Sequence, residues 1–222
     1  MKVKSPEMNI SKLALVLTLA LTFALSAAST AFAQVSVYGT VSVRRMTDIH
    51  YTQGTTTATN GSFNAVGGTG GIFYDFRKVG PVRLGVDARG TIASSTQGAY
   101  TSYNGGGSHL SSGLFGVRGT FHTPFIAVKP YVQGSVGIAR TNFGTDYNNT
   151  LVTTTLAKNT GIQISSHLEY DAFAGVDIAI LPLVDFRMVE LGYGAVQGPS
   201  NTYPVKSLSS GIVFHLPWGL GK

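Results

Sequence analysis

Hydrophobic and polar side chains alternate with a period of two along most of the chain after residue 33. In the clearest run one face is apolar throughout, with Leu168, Tyr170, Ala172, Ala174, Val176 and Ile178. Successive side chains of a β-strand point to opposite faces, so each such run predicts a strand with one apolar and one polar face. Eight runs of this kind follow one another, and the sequence therefore predicts an all-β fold of eight strands.

The connections between the predicted strands are alternately short and long. The short ones follow the second, fourth and sixth strands, at residues 79–81, 122–127 and 180–183. The others are mostly long and rich in glycine, asparagine, serine and threonine, at residues 47–67, 95–108, 141–164 and 197–204. An up-and-down meander brings the short turns to one end and the long loops to the other, as in bacterial outer-membrane barrels.

Alternation alone is also typical of a soluble β-sandwich, whose apolar face is buried. The runs, however, are about 11–15 residues long, whereas globular strands cluster near 5–6. Aromatic residues gather near the ends of the apolar faces, at Tyr74, Phe76, Phe121, Tyr170, Tyr193 and Phe214. Backbone groups in hydrocarbon must all be paired, which requires a closed sheet. We therefore expect an eight-stranded up-and-down antiparallel transmembrane β-barrel, with a soluble secreted β-sandwich as an alternative.

The first 33 residues have the composition of a secretory signal peptide. Three lysines, Lys2, Lys4 and Lys12, precede an apolar stretch from Leu13 to about Ala28, and Ala31-Phe32-Ala33 follows it. That stretch is too short and too often interrupted for a spanning helix, which needs about 20 residues. We expect a cleavable signal peptide at residues 1–33 and a single barrel domain at residues 34–222.

Composition excludes several classes of function. The chain has no cysteine, so disulfide scaffolds, thiol nucleophiles and cysteine-ligated metal sites are excluded. Charged residues make up 12% of the chain, about half of the roughly 25% usual in soluble domains. The net charge of +6 is mild and offers no patch for nucleic acid, although positive loops would suit anionic lipopolysaccharide.

The polar faces of the predicted strands carry charges of both signs. The cations are Arg44, Arg77, Arg83, Arg89, Arg118 and Lys129, and the anions are Asp75, Asp87, Glu169, Asp171, Asp177 and Glu190. Side chains fill the lumen of an eight-stranded barrel, and buried charges need partners. The sequence therefore predicts a salt-bridged plug, with a narrow channel for small solutes as an alternative.

One polar group at the external end of the sixth strand has the residue types of a catalytic set. Ser165, His167 and Glu169 share a face and supply a hydroxyl, an imidazole and a carboxylate. Neighbours at i and i+2 lie nearly 7 Å apart along a strand, so hydrogen-bond partners would have to come from elsewhere, such as His109 or Ser111. We favour a polar cluster, with an outer-membrane lipid-modifying enzyme near His167 as the alternative.

We predict no catalytic, cofactor-binding or metal site. The histidines lack close metal-ligand spacing; they are His50, His109, His122, His167 and His215. The glycine-rich stretch at residues 67–71 lacks the strand–loop–helix context of a nucleotide loop. Glycines in these strands are better explained by bends or by a neighbouring aromatic ring that lies over them.

The leader, the alternating segments and the stretch Asp185-Phe186-Arg187-Met188-Val189-Glu190-Leu191-Gly192-Tyr193-Gly194 carry a resemblance to a known family. The chain resembles the OmpA/OmpX-like family of small eight-stranded outer-membrane β-barrels. The resemblance implies location in the cell outer membrane and folding by the outer-membrane assembly machinery. That machinery reads an aromatic residue at the end of the last strand; Phe214 fits, although residues 215–222 follow it.

These observations lead to an expected function. We expect an integral outer-membrane protein with a structural or surface-interaction role, carried by the two longest loops at residues 47–67 and 141–164. Its partners would be outer-membrane lipid, lipopolysaccharide and the assembly machinery. We expect a monomer without a cofactor.

Overall fold

The computed structural model describes residues 34–53, 56–96, 108–121, 127–142, 163–197 and 202–216. Its strands are β1 (Gln34–Gln53), β2 (Thr56–Val79), β3 (Val82–Ser94), β4 (His109–Phe121), β5 (Val128–Asn142), β6 (Gln163–Leu181), β7 (Val184–Gln197) and β8 (Thr202–Leu216). Each strand pairs antiparallel with its neighbours in the chain, and β1 pairs with β8 to close the barrel. The predicted eight-stranded up-and-down barrel is confirmed.

The predicted signal peptide at residues 1–33 lies outside the described residues. Within the part of the chain that is described, no helix has the length and apolar character needed to cross a membrane.

Tight turns lie at one end of the barrel, which we call the turn end. Val79 pairs with Val82, so that Gly80 and Pro81 alone connect β2 to β3. Gly80 has a φ of +59°, which glycine adopts readily, and the ring of Pro81 fixes the φ that the second turn position needs. β6 and β7 are joined by an equally short turn at residues 182–183.

The opposite end, which we call the loop end, differs from the prediction at residues 47–67. β1 continues to Gln53 and β2 begins at Thr56, and these two residues pair with each other. The predicted loop is therefore wrong over nearly all of its length, because it forms the extended tip of the β1–β2 hairpin. The other predicted long connections lie mainly outside the described residues, at residues 97–107, 143–162 and 198–201.

The wall of the barrel is apolar outside and polar inside over most of its height. On the outer surface Val41 is 68% exposed and Ile92 is 75% exposed. Their chain neighbours Ser42 and Thr91 are buried inside. Exposed aromatic residues on the outer face include Phe115, Phe121, Tyr170, Phe186, Tyr193 and Phe214. The predicted orientation of the two faces is confirmed.

Candidate functional site

The centre of the lumen is filled by buried arginines and carboxylates. Arg187 donates from Nε to Asp177 Oδ1 at 2.9 Å and from Nη1 to Glu190 Oε2 at 3.4 Å. Asp177 also accepts from Arg118 Nη2 at 2.6 Å, and Glu190 Oε1 accepts from Arg89 Nη1 at 3.1 Å. Each carboxylate therefore bridges two guanidinium groups. This arrangement compensates charges that would be unfavourable if buried alone.

Aromatic rings pack against the same guanidinium groups. Arg118 Cζ lies 3.6 Å from the ring centroid of Tyr131 and 4.3 Å from that of Phe73. Arg187 Cζ lies 4.4 Å from the centroid of Tyr38. A desolvated cation over a ring is attracted by the negative face of the π-system. The rings thus stabilise the charges and fill the space between them.

Inner-face glycines make room for these rings. The glycine lies directly across a strand pair from the aromatic residue in the pairs Tyr38–Gly71, Tyr131–Gly175 and Phe173–Gly192. A Cβ atom at Gly71 would lie 2.4 Å from Cζ of Tyr38, far inside van der Waals contact. At these positions the prediction that glycine relieves crowding by a neighbouring aromatic ring is confirmed.

A β-bulge in β7 explains why two members of the network were not predicted. Residues 188–189 of β7 together oppose Ser210 of β8, whose hydroxyl donates to the carbonyl of Arg187 at 2.9 Å. Strict alternation would place Arg187 and Glu190 on opposite faces, but the extra residue turns both inward. Arg187 and Asp185 are therefore lumen residues that the period-two pattern missed.

A second bulge corrects the predicted position of Arg77. Asp75 pairs with Gly85 of β3, whereas Arg77 pairs with Leu84, so the register shifts by one residue between them. Asp75 is buried in the lumen and Arg77 is exposed. Arg77 was predicted as an inner-face cation, and that prediction is wrong.

The turn end of the lumen is closed by a smaller polar group. Lys129 Nζ donates to Asp185 Oδ2 at 2.7 Å, and His215 Nε2 lies 2.7 Å from the same oxygen. Ser36 Oγ lies 2.7 Å from His215 Nδ1. Asp185 of β7 therefore links β5 and β8 at the turn end of the barrel.

Towards the loop end, one arginine contacts two acidic side chains. Arg44 Nη2 contacts Glu169 Oε1 and donates to Asp171 Oδ2 at 3.0 Å. Its other terminal nitrogen donates to Ser112 Oγ at 2.9 Å. The second oxygens of both carboxylates, Glu169 Oε2 and Asp171 Oδ1, have no hydrogen-bond partner among the described residues. This layer therefore has two carboxyl groups for one guanidinium group.

Above that layer the interior becomes apolar. The buried cluster at the loop end, which we call the apolar cap, consists of Met46, Ile49, Phe63, Ala65, Ala93, Leu110, Ala139, Val196, Tyr203 and Val205. Below the cap a gap of about 10 Å³ is lined by residues that include Arg44, Phe173 and Glu190. A gap of that size holds about one water molecule. The lumen is thus a filled core.

The predicted polar cluster around His167 is only partly assembled. Glu169 is engaged by Arg44, and His167 is half-buried on the inner face. His109 is exposed and shares the outer face of β4 with Ser111, because the intervening Leu110 points into the lumen. The two proposed partners therefore face away from His167. The side chain of Ser165 lies outside the described part.

Among known proteins, similarity to this chain is found in solved structures. No family model and no curated protein matches the sequence. Among solved structures, Neisserial surface protein A is similar, with 16% identity over 80% of this chain and 96% of that one and a TM-score of 0.49. Ail, the attachment invasion locus protein of Yersinia pestis, solved in complex with the heparin analogue sucrose octasulfate, has 13% identity over 83% and 97% and a TM-score of 0.47. The outer membrane enzyme PagL has 16% identity over 78% and 98% and a TM-score of 0.39.

These neighbours are small outer-membrane β-barrels, as the predicted resemblance implied. Identities of 13–16% and TM-scores below 0.5 mean that none of these likenesses carries an argument about this chain. Both enzymatic and non-enzymatic proteins occur among barrels of this kind.

Proposed function

We propose that the chain is an integral protein of the bacterial outer membrane whose closed barrel spans the bilayer with a filled lumen. The observation that carries this proposal is the inversion of polarity across the wall: large apolar side chains are exposed outside while arginines and carboxylates are buried inside. Soluble monomers rarely expose contiguous apolar patches of more than a few hundred Å². An exposed surface of this kind requires hydrocarbon around it.

The height of the apolar surface matches a bilayer. On β3 the outer face carries only apolar residues and glycine from Val82 to Ile92. Ten residue steps of about 3.3 Å, on a strand tilted by about 40°, span roughly 25 Å. That is the height of the apolar band in outer-membrane barrels. We call this surface the apolar belt.

Near the loop end, where the belt stops, the polarity of the two faces of the wall is the reverse of that in the belt. The outer-face residues that follow the belt are polar and exposed or half-buried, namely Arg45, Asn64, Ser94, Ser111, Arg140 and Lys206. At the same level the inside of the barrel is filled by the apolar cap. An apolar interior with a polar exterior is the pattern of a protein in water. The strands therefore leave the bilayer here, and the loop end projects from the membrane.

The filled lumen favours a structural or surface-interaction role over transport. The group around Asp185, the ion-paired centre and the apolar cap occupy successive levels of the interior from the turn end to the loop end. We infer that the projecting loop end makes the contacts outside the cell and that the protein acts as a monomer. We also infer a non-enzymatic role, because Glu169 is bound by Arg44 and the outward-facing His109 and Ser111 are not available to His167.

The partners follow from the location. Exposed cations just beyond the belt, such as Arg45 and Lys206, suit the phosphates of lipopolysaccharide. The exposed ring of Phe214 near the end of β8 suits recognition by the outer-membrane assembly machinery.

Fractionation combined with gel migration tests the location and the closed barrel. The full chain is expressed in a Gram-negative host, membranes are separated, and outer-membrane samples are run with and without boiling. A closed barrel resists detergent, so the unboiled protein should migrate differently from the boiled protein. Recovery from the aqueous periplasmic fraction without a heat-dependent shift would refute the proposal.

A further inference from the structure

Two carboxyl groups of β6 lie against a single guanidinium group beneath the apolar cap. We call Glu169 and Asp171 the carboxyl pair; they are 0% and 5% exposed. The same nitrogen of Arg44, Nη2, contacts Glu169 Oε1 and donates to Asp171 Oδ2 at 3.0 Å. The other terminal nitrogen of Arg44 donates to the hydroxyl of Ser112. One cation therefore stands between two buried acids.

The neighbouring ion-paired centre has no spare cation for this pair. The guanidinium and carboxylate groups that bond one another there are equal in number, with Arg89, Arg118 and Arg187 facing Asp87, Asp177 and Glu190. Arg89 and Glu190 line the gap below the cap together with Asp171, but Arg89 donates to Glu190 at 3.1 Å. The charge of Arg89 is thus already compensated within the centre.

The other groups that face the carboxyl pair bring no second ion pair. His167 of β6 is half-buried on the inner face, two residues closer to the loop end, and the described part of the chain shows no ion pair between it and either acid. The described inward-facing residues of β2, β4, β5 and β8 at this level are uncharged and include Thr69, Ser112, Ser135 and Ser207. Arg44 is therefore the cation that this pair contacts.

One oxygen of each acid is buried without a donor. Glu169 Oε2 and Asp171 Oδ1 have no hydrogen-bond partner among the described residues. Asp171 Oδ1 lies against the backbone of β7, because a Cβ atom at Gly194 would overlap it. The gap of about 10 Å³ below the cap is lined by Asp171 and not by Glu169, and it holds about one water molecule. Water in this gap therefore cannot solvate both acids as carboxylates, and a buried unsolvated carboxylate is strongly unfavourable.

The two acids also lie within hydrogen-bonding reach of each other. Ionised carboxylates only accept hydrogen bonds, so a bond between these two side chains needs a proton on one of them. Two carboxyl groups in one site also resist joint ionisation, because their like charges repel at short range. The contact, the unpartnered oxygens and the single guanidinium group all favour the same protonation state.

We propose that the carboxyl pair binds one proton, which Glu169 and Asp171 share, so that the pair carries a single negative charge opposite Arg44. The proton is taken up from water when the barrel forms and returns to water when the barrel unfolds. This inference rests on the proposed function only in requiring a closed barrel with a filled lumen.

The shared proton makes the loop end of the barrel sensitive to pH. The carboxyl groups of the unfolded chain are ionised above about pH 5, so the folded barrel holds one proton more than the unfolded chain. The unfolding equilibrium constant therefore rises by up to about tenfold for each unit of increasing pH, until the pair releases its proton. Above that pH, two anions face one guanidinium group directly beneath the apolar cap.

Infrared spectroscopy of the full-length barrel in phospholipid vesicles tests for the proton, because protonated and ionised carboxyl groups have separate stretching bands. Glu169→Gln and Asp171→Asn each remove one acid and keep its shape. Asp48→Asn is the matched control, because Asp48 is exposed and has a φ of +58°, which asparagine also adopts. Asp75, whose Oδ1 is also unpartnered, is present in every variant and cancels in the difference spectra.

At about pH 8, where exposed carboxyl groups are ionised, the wild type and Asp48→Asn should show the band of one protonated carboxyl group that both Glu169→Gln and Asp171→Asn lack. Loss in both variants identifies a shared proton, since the proton of an isolated neutral acid would survive the loss of its neighbour. Urea titrations between about pH 6 and pH 8 give a second readout. The unfolding equilibrium constant of the wild type should rise with pH more steeply than that of either variant, by up to about tenfold per unit. If one variant fails to fold, as judged by its heat-dependent gel shift, the other variant provides both readouts.

Two results would overturn the inference. If the protonated band did not differ between the wild type and either variant, both acids would be ionised in the folded barrel. If the wild type and the variants had the same pH dependence, folding would take up no proton at this pair. Either result leaves the wild type with its heat-dependent shift in outer membranes, whereas a wild type without that shift would refute the proposed function itself.

Discussion

Replacing Arg187 by methionine removes the guanidinium that joins two carboxylates in the centre of the lumen. Arg187 is fully buried and bonds Asp177 at 2.9 Å and Glu190 at 3.4 Å. Methionine keeps much of the volume but leaves both carboxylates with one cation fewer. Removing one partner of a buried ion pair costs about 3–5 kcal/mol. We expect Arg187→Met to lower the free energy of unfolding by about that amount.

Urea titration of the barrel in phospholipid vesicles, followed by the fraction that shows the heat-dependent gel shift, measures this loss. Arg77→Met is the matched control, because Arg77 is exposed and should change stability by less than about 0.5 kcal/mol. When Asp177→Asn is present as well, the loss caused by Arg187→Met should be smaller by about 0.5–3 kcal/mol, since the two residues interact directly. If Arg187→Met cost no more than Arg77→Met, water would be replacing the guanidinium and the lumen would be hydrated rather than filled.

Three further outcomes follow from the same structure. Gly71→Ala should destabilise the barrel by about 1–3 kcal/mol, because its Cβ would overlap the ring of Tyr38. Gly134→Ala is the control: its Cβ would point into open space, so it should be neutral or stabilise the barrel by up to about 1 kcal/mol. The same urea titration compares the two variants. Planar-bilayer recording of the wild type should show no steady conductance, and a constant open current of porin size would contradict the filled lumen. Mass spectrometry of lipid A from cells that express the wild type or His167→Ala should give identical species, and a difference that depends on His167 would instead assign an enzymatic activity.

The strands and their faces were predictable because a barrel wall repeats one simple rule along every strand. Val41 and Ser42 alternate outward and inward, and so do Ile92 and Thr91, since each is paired in an unbroken register. The short turn between β2 and β3 was predictable because glycine and proline, here Gly80 and Pro81, are residue types that suit a two-residue connection.

The membership of the lumen network was less predictable because bulges change which face a residue occupies. A single extra residue in β7 turns Arg187 inward, and one in β2 leaves Arg77 outside. Both shifts depend on how neighbouring strands pair, which the pattern along one strand does not contain. Period two alone therefore assigned Arg77 to the wrong face and missed Arg187.

The extended β1–β2 hairpin was missed for a different reason. Met46 and Phe63 pair with each other and are buried in the apolar cap. Here the apolar side is inside and the polar side is outside, the reverse of the belt below. A stretch rich in threonine, glycine and asparagine with reversed polarity has the composition of a loop, although its two strands pair with each other, through two register shifts, up to Gln53 and Thr56. In the proposed placement, this reversal lies where the barrel leaves the bilayer.

The central claim is that the apolar row faces acyl chains while the neighbouring row is sealed inside. The chain has no cysteine, so single cysteines can carry a nitroxide probe at adjacent wall positions, Val41 with Ser42 and Ile92 with Thr91. In vesicles, collision rates with oxygen report exposure to lipid, and those with a water-soluble nickel chelate report exposure to water. Labels at Val41 and Ile92 should collide with oxygen alone, and labels at Ser42 and Thr91 with neither. Nickel collisions at Val41 and Ile92, or water access at Ser42 and Thr91, would contradict the claim.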